Sequence, residues 1–402
     1  MPQKWLSIVG IGEDGIEGLS AVARSIISTA EILVGGDRHL AMVPRSNIQQ
    51  ERLVWTSPIS ESIEQILSYR GRNVCVLASG DPMWYGIGVT LTRSVSIDEI
   101  TIIPAPSSFS LICARLGWSI AEVETLSLCG RPASLLQSYV YPNAKLLILS
   151  AGQETPSIVA KILTERGFGK SAIAVFEYLS GTRERMISGV AEAWDIEGIA
   201  ELNAIAVTCI VDRKAQVLSR LPGLPDRAYH HDGQLTKREV RAVTLSALAP
   251  TPGELLWDVG AGCGSISIEW MRTDPRCRAI SIEKSRMTYI ADNANSLGVP
   301  NLQIIAGTAP AALQDLPPPD AIFIGGGATA EGMFETCWEA LRSGGRLVAN
   351  VVTIEGEQQL FKWQQQVGGS LSRIAIQRAE SIGSFLGWKA MAPVTQWIAF
   401  KP

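Results

Sequence analysis

Gly260, Gly262 and Gly264 stand at alternate positions directly after the apolar run Leu255-Leu256-Trp257-Asp258-Val259, with Ala261 and Cys263 between them. Glycines there let the backbone turn tightly and let a ligand approach closer than any Cβ would permit. A second run, Arg278-Ala279-Ile280-Ser281-Ile282, ends in Glu283. An acid at that strand end faces the glycine turn across the sheet's C-terminal edge, where it can accept hydrogen bonds from two ribose hydroxyls. The other reading is a generic α/β turn with Glu283 as a surface charge. The first half of the chain carries its own set of turns. Gly10-Ile11-Gly12-Glu13-Asp14-Gly15 follows Trp5-Leu6-Ser7-Ile8-Val9. Ser79-Gly80-Asp81-Pro82, Pro104-Ala105-Pro106-Ser107-Ser108 and Glu177 to Arg185 each follow a further apolar run. All lie where α/β ligands bind, beyond strand C-termini, although Gly, Pro, Asp and Ser also make ordinary turns.

Spacing separates the candidate ligands. The second-half motif is GxGxG, not the GxGxxG of dinucleotide folds. The first-half motif does fit GxGxxG, but Glu31 precedes its strand Ile32-Leu33-Val34 instead of ending it, which disfavours NAD. Thr236-Lys237-Arg238-Glu239 reads as a capping box, so the Thr236 hydroxyl caps a helix, contacts a ligand carboxylate, or does both.

These turns need sheets to hold them. Short apolar runs alternate with helical stretches in both halves, the pattern of α/β layers. Strands are expected at 32–34, 74–78, 100–103, 146–149, 172–176 and 204–211. In the second half they are expected at 255–259, 279–283, 302–305, 321–324, 346–351, 372–377 and 395–400. The last two, with only a loop between them, suggest an open sheet of seven strands ending in an antiparallel pair. Pro and Gly cluster between the halves, which places a linker at 211–229 between domains 1–210 and 230–402.

The chain has 402 residues, 46% of them hydrophobic and 18% charged, enough for two packed cores. The net charge of -4 and the lack of a basic tail weigh against a nucleic-acid partner. No leader is evident, and no segment approaches the ~20 apolar residues of a membrane helix. Seven scattered cysteines without a CxxC pair read as buried, reduced thiols of a cytoplasmic protein. Three histidines, two of them adjacent, argue against a metal centre, and none is expected.

Residues 230–402 resemble class I S-adenosylmethionine-dependent methyltransferases, and more narrowly the small decarboxylating precorrin methyltransferases. The likeness is carried by His231 to Arg241, the glycine turn, Glu283, Gly307-Thr308-Ala309-Pro310 and Phe323-Ile324-Gly325-Gly326-Gly327. It implies a Rossmann-like domain in which Thr236, Gly260 to Gly264, Glu283 and Ala309 contact the cofactor. Thr308 departs from the Asp that many relatives carry. Residues 4–210 resemble the two-lobed tetrapyrrole methylases, or class III methyltransferases, whose motifs occur in family order. That likeness implies a second S-adenosylmethionine site near Gly10, Gly12, Gly80, Asp81, Pro82, Ser107 and Ser108.

The two halves together resemble the fused, decarboxylating precorrin C-5,15-methyltransferases of cobalamin synthesis. The resemblance implies C-5 methylation by the first domain, with C-15 methylation and loss of CO2 from the ring C acetate in the second. A homo-oligomer, dimer or tetramer, is also expected. A precorrin carries many carboxylates, so clustered cations should line its clefts. Candidates are Arg131, Arg183 and Arg185, then Lys237, Arg238 and Arg241; solvated surface charge is the competing reading. Trp84-Tyr85 is the aromatic pair best placed to meet a macrocycle. RNA methylation is the rival activity, and Ile324-Gly325-Gly326-Gly327 lacks the Asn-Pro-Pro-Tyr type of motif used on base amino groups. A non-enzymatic tetrapyrrole carrier is a third reading, disfavoured by two intact cofactor loops.

Overall fold

The computed structural model describes residues 4–45, 50–213 and 215–402. It divides into two compact units, 1–133 with 142–215, and 134–141 with 216–402.

The first unit has two sheets. One is fully parallel, in the order β3-β2-β4-β1-β5, from β1 (Leu6–Ile11), β2 (Ile32–Gly35), β3 (Glu51–Val54), β4 (Val74–Ser79) and β5 (Ile100–Ile103). Its central strands read as near-continuous apolar runs because both faces are covered. Trp5, Ile8, Val34 and Val76 pack on one side, and Val9, Leu33, Cys75 and Leu77 on the other. The other sheet runs β6-β7-β10-β8-β9, from β6 (Glu124–Ser127), β7 (Lys145–Leu149), β8 (Ala172–Glu177), β9 (Arg185–Val190) and β10 (Asn203–Thr208). Here β10 is antiparallel to both neighbours.

The second unit is built on a seven-stranded sheet, β13-β12-β11-β14-β15-β19-β16. Its members are β11 (Leu255–Val259), β12 (Arg278–Glu283), β13 (Gln303–Ala306), β14 (Ala321–Ile324), β15 (Arg346–Val351), β16 (Ser370–Ile374) and β19 (Val394–Phe400). The expected antiparallel ending is present, with β19 between β15 and β16. The expected strand 372–377 is present only as far as Ile374, in β16. The chain leaves the sheet after Ile374 and forms a separate hairpin, β17 (Gln377–Ile382) and β18 (Phe385–Ala390), before returning as β19.

Much of the segment expected to be a linker is built into the second unit. Leu224 and Tyr229 are buried in its core, and the buried carboxylate of Glu269 explains why. Glu269 accepts hydrogen bonds from Gly223 N at 2.6 Å, Leu224 N at 3.0 Å, the Tyr229 hydroxyl at 2.9 Å and Arg241 Nε at 2.6 Å. Arg241, also fully buried, donates onward to the carbonyls of Thr236 and Leu224. Residue 214 of that segment, and residues 1–3 and 46–49 of the expected first domain, lie outside the described residues. The capping box is also revised. The helix spans Arg238–Leu248 with Lys237 at its N-cap and no side-chain cap. Glu239 pairs with Arg378 of β17 at 2.5 Å instead of turning back to Thr236.

Removing one partner of a buried, hydrogen-bonded ion pair leaves an uncompensated charge. Glu269→Ala is therefore expected to destabilise the second unit by about 3–5 kcal/mol. Denaturant unfolding of the full chain should show its transition moving while the first unit's stays in place.

Candidate active sites

In the second unit the strand order reverses between β11 and β14, so the loops after these strands part and leave a crevice at the sheet's C-terminal edge. A cavity of about 820 Å³ occupies that place, within the range of small-molecule sites. Thr236, Lys237, Gly260, Ala261, Gly262, Cys263, Glu283 and Ala309 all line it. Gly264 does not; it opens the helix Ser265–Thr273, and a Cβ there would lie 2.9 Å from Ile290. Gly260 has φ of 72°, and its missing Cβ lets Gly326 N approach to 2.8 Å of where that atom would stand. Two glycine loops thus form one wall by backbone contact alone.

Glu283 is 7% exposed. Its Oε2 accepts from Gly262 N at 2.8 Å and its Oε1 from Ser285 N at 3.1 Å, with Arg286 3.6 Å away. The same carboxylate therefore shapes the turn and keeps lone pairs for hydroxyls entering the cavity. Beneath it Asp258 is fully buried, holding Ser267 N at 3.0 Å and the Ser267 hydroxyl. Burial pushes the Asp258 carboxyl up to about 6, against the pull of Ser267. Lys237 and Lys284 stand at the cavity without an ion-pair partner among the described residues.

In the first unit the loops after β1, β4 and β5 converge. A Cβ on Gly10 would lie 2.0 Å from Gly80 O and 2.6 Å from Ala105 N, so only glycine permits the junction. Gly12, Gly80 and Ser108 line a cavity beside this junction together with Arg38, Tyr178 and Asn203. It measures about 70 Å³ and is flanked by the Arg38–Glu13 ion pair. The remaining expected residues, Asp81, Pro82 and Ser107, do not line it. Asp81 accepts from Met83 N at 2.8 Å, Pro82 is buried, and Ser107 caps the helix Ser108–Leu116 by accepting from Ser110 N.

Three expected cations are employed otherwise. Arg241 is fully buried on Glu269, and Arg185 grips buried Glu177 with two bonds of 2.7 and 2.9 Å. Arg183 lies over the Tyr178 ring at 4.0 Å. Arg131 and Arg238 remain exposed. Cys129 is also exposed, against the expectation of buried thiols, while the other six cysteines are buried. No helix of the described residues is long and apolar enough to cross a membrane.

Two family descriptions match the chain: Tetrapyrrole (Corrin/Porphyrin) Methylases over residues 6–194, and Precorrin methyltransferase domain over residues 227–401. The precorrin-6Y C(5,15)-methyltransferase [decarboxylating] of a Sinorhizobium species is 47% identical over 98% of this chain and 95% of its own length. The chain belongs to the decarboxylating precorrin-6Y C(5,15)-methyltransferase family. Two shorter relatives divide that family's name between them. A cobalt-precorrin-7 C(5)-methyltransferase of Salmonella typhimurium is 32% identical, over 45% of this chain and 88% of its own. A probable cobalt-precorrin-6B C(15)-methyltransferase (decarboxylating) of Saccharolobus solfataricus is 32% identical, over 37% of this chain and 78% of its own.

In this member of the precorrin-6Y methyltransferase family, sequence reasoning missed Arg38, Asn203, Asp258 and Lys284. Asp258 carried a usable signal, an acid closing an otherwise apolar strand just before the glycine turn. Arg38 and Asn203 carried none, since a helix residue and the first residue of a strand reach one cavity only through the packing of elements distant in sequence.

Two outcomes follow for the second cavity. Glu283→Ala should cost about 1.5–3 kcal/mol of S-adenosylhomocysteine affinity in one class of site, read by calorimetry. The Asp258 carboxyl, raised in the folded state, contributes stability that is full below about pH 4 and lost as pH rises through about 6. Between those limits the wild type should lose roughly 3 kcal/mol relative to Asp258→Asn, read by denaturant unfolding across pH.

Proposed function

We propose that the chain binds S-adenosylmethionine at two sites, one in each unit, and methylates precorrin-6B (precorrin-6Y) at C-5 and C-15 while removing CO2 from the ring C acetate, giving precorrin-8. The observation that carries this reading is the near full-length relative bearing that activity in its name. The two family matches, one in each half, support the assignment of C-5 to the first unit and of C-15 and decarboxylation to the second.

When bound, S-adenosylmethionine supplies an electrophilic sulfonium methyl group. The residues of the second unit fit such a ligand. Glu283 offers acceptors for ribose hydroxyls, the Gly260–Gly262 turn leaves room for close backbone approach, and the helix N-terminus at Arg238, beside Thr236, suits a carboxylate. Lys237 and Lys284 can hold carboxylates of the macrocycle at the cavity. Val240, Val259, Ile282, Phe323 and Met333 give the cavity apolar walls. Such walls disfavour a buried acetate carboxylate relative to neutral CO2, so they favour cleavage once the macrocycle accepts the electron pair. In the first unit, Gly12, Gly80 and Ser108 border a smaller cavity of about 70 Å³ beside the Arg38–Glu13 pair, and its glycine loops leave room for the same close backbone approach.

Calorimetry with S-adenosylhomocysteine is expected to give two equivalents per chain. Mass spectrometry of the product from precorrin-6B should show two added methyl groups and one lost CO2. One equivalent with both units folded would reject the two-site reading, and transfer of label to RNA instead of the precorrin would reject the substrate.

A further inference from the structure

Charge is unevenly spread around the large cavity of the second unit. Its charged lining residues are Lys237, at the start of the helix Arg238–Leu248, and Glu283, Lys284 and Arg286, at the end of β12 and just beyond it. None of the described lining residues from β14 onward is charged. In that uncharged half Thr329 is exposed, and the Thr353 hydroxyl accepts from Gly356 N at 3.1 Å. Asn350, half-buried at the end of β15, is the remaining polar side chain among the described residues there. Three strand spacings separate β12 from β15, so Asn350 stands about 14 Å from Glu283 across the cavity.

The Asn350 amide is held in one orientation. Thr244, fully buried, gives its hydroxyl hydrogen to Val240 O at 2.8 Å, so its oxygen can otherwise only accept. It accepts from Asn350 Nδ2 at 2.8 Å and from Gln396 Nε2 at 3.3 Å. Gln396, also buried, faces Asn350 across the β15–β19 pairing and donates to Asn350 Oδ1 at 3.0 Å. Asn350 thus commits its oxygen and one amide hydrogen to these neighbours. The second amide hydrogen has no acceptor among the described residues. Burying a Thr and a Gln against apolar strands is costly unless they are satisfied, and here their bonds fix which atom of Asn350 faces which way.

We propose that Asn350 touches the carboxylate that is lost, donating its second amide hydrogen to one oxygen and turning the methylene–carboxylate bond toward the π system of the macrocycle. The proposal rests on the decarboxylation reading of the second unit and deepens it by naming the group that meets the acetate. A cation there would hold the starting carboxylate more firmly than the transition state, whose charge is leaving, and would raise the barrier. A neutral donor orients the group without that penalty. The bond between the methylene and carboxylate carbons breaks, its electron pair enters the macrocycle, and CO2 leaves. The exocyclic methylene so formed takes a proton from water and becomes a methyl group.

Steady-state release of CO2 from precorrin-6B by the full chain tests this role. Asn350→Ala should lower kcat for CO2 release about tenfold or more, with a smaller change in KM and with S-adenosylhomocysteine affinity unchanged. Asn350→Asp, of the same shape but with a charge of the carboxylate's own sign, should lie lower still, an order that a merely structural role does not produce. Thr244→Val, which frees the amide to turn, should lower kcat less than Asn350→Ala does. Wild-type kcat in either Asn350 variant, the reverse order of the two, or a loss carried by weaker S-adenosylhomocysteine binding overturns the assignment while the decarboxylation reading stands. If the wild type releases no CO2 from precorrin-6B, that reading fails and the assignment with it.

Discussion

The carboxylate of Glu269 is the interaction on which the second unit depends. Four donors converge on it from Gly223, Leu224, Tyr229 and Arg241. Burying such a charge is costly unless every lone pair is used, and here the surrounding donors offset the desolvation. The result is directional in a way that apolar packing is not. The segment before the helix Arg238–Leu248 is fixed in register, and its Thr236 carbonyl is held by Arg241 at 2.5 Å. Gln234 to Lys237, one wall of the large cavity, is thereby held through the Thr236 carbonyl by the buried Arg241–Glu269 pair.

Two unrelated sheets reach the same local solution at their ligand edges. In each, loops after neighbouring strands touch backbone to backbone, at Gly10 with Gly80 and Ala105, and at Gly260 with Gly326. Side chains are excluded from these junctions, so peptide groups and a few acids define the wall. Glu283 shows the economy of that arrangement, because one carboxylate both pins the turn through Gly262 N and faces the cavity.

The second-unit sheet was legible because buried parallel strands are written as unbroken apolar runs, and β11, β14 and β15 lie where those runs stand. The strands missed in the first unit, β3, β6 and β9, sit at sheet edges, where Glu51-Arg52-Leu53-Val54 or Arg185 to Val190 reads as mixed polarity. The hairpin of β17 and β18 was hidden for another reason. Ile382, Phe385, Leu386 and Trp388 are 66% to 78% exposed, so its apolar residues do not report a core. Among site residues, glycines and strand-end acids were readable because their role follows from backbone geometry. Arginines were not. Nothing in Arg183-Glu184-Arg185 says that Arg185 turns back to Glu177 while Glu184 takes Arg115. Nor does a helix pattern reveal that Arg241 faces inward to a carboxylate one helix away.

The two cavities differ more than tenfold in volume, about 820 against about 70 Å³. The narrow one is bordered by the Arg38–Glu13 pair, so any ligand that needs the pair open binds with an apparent dissociation constant raised by the inverse of the open fraction. Equal intrinsic contacts at the two cavities would then give unequal occupancies at one ligand concentration.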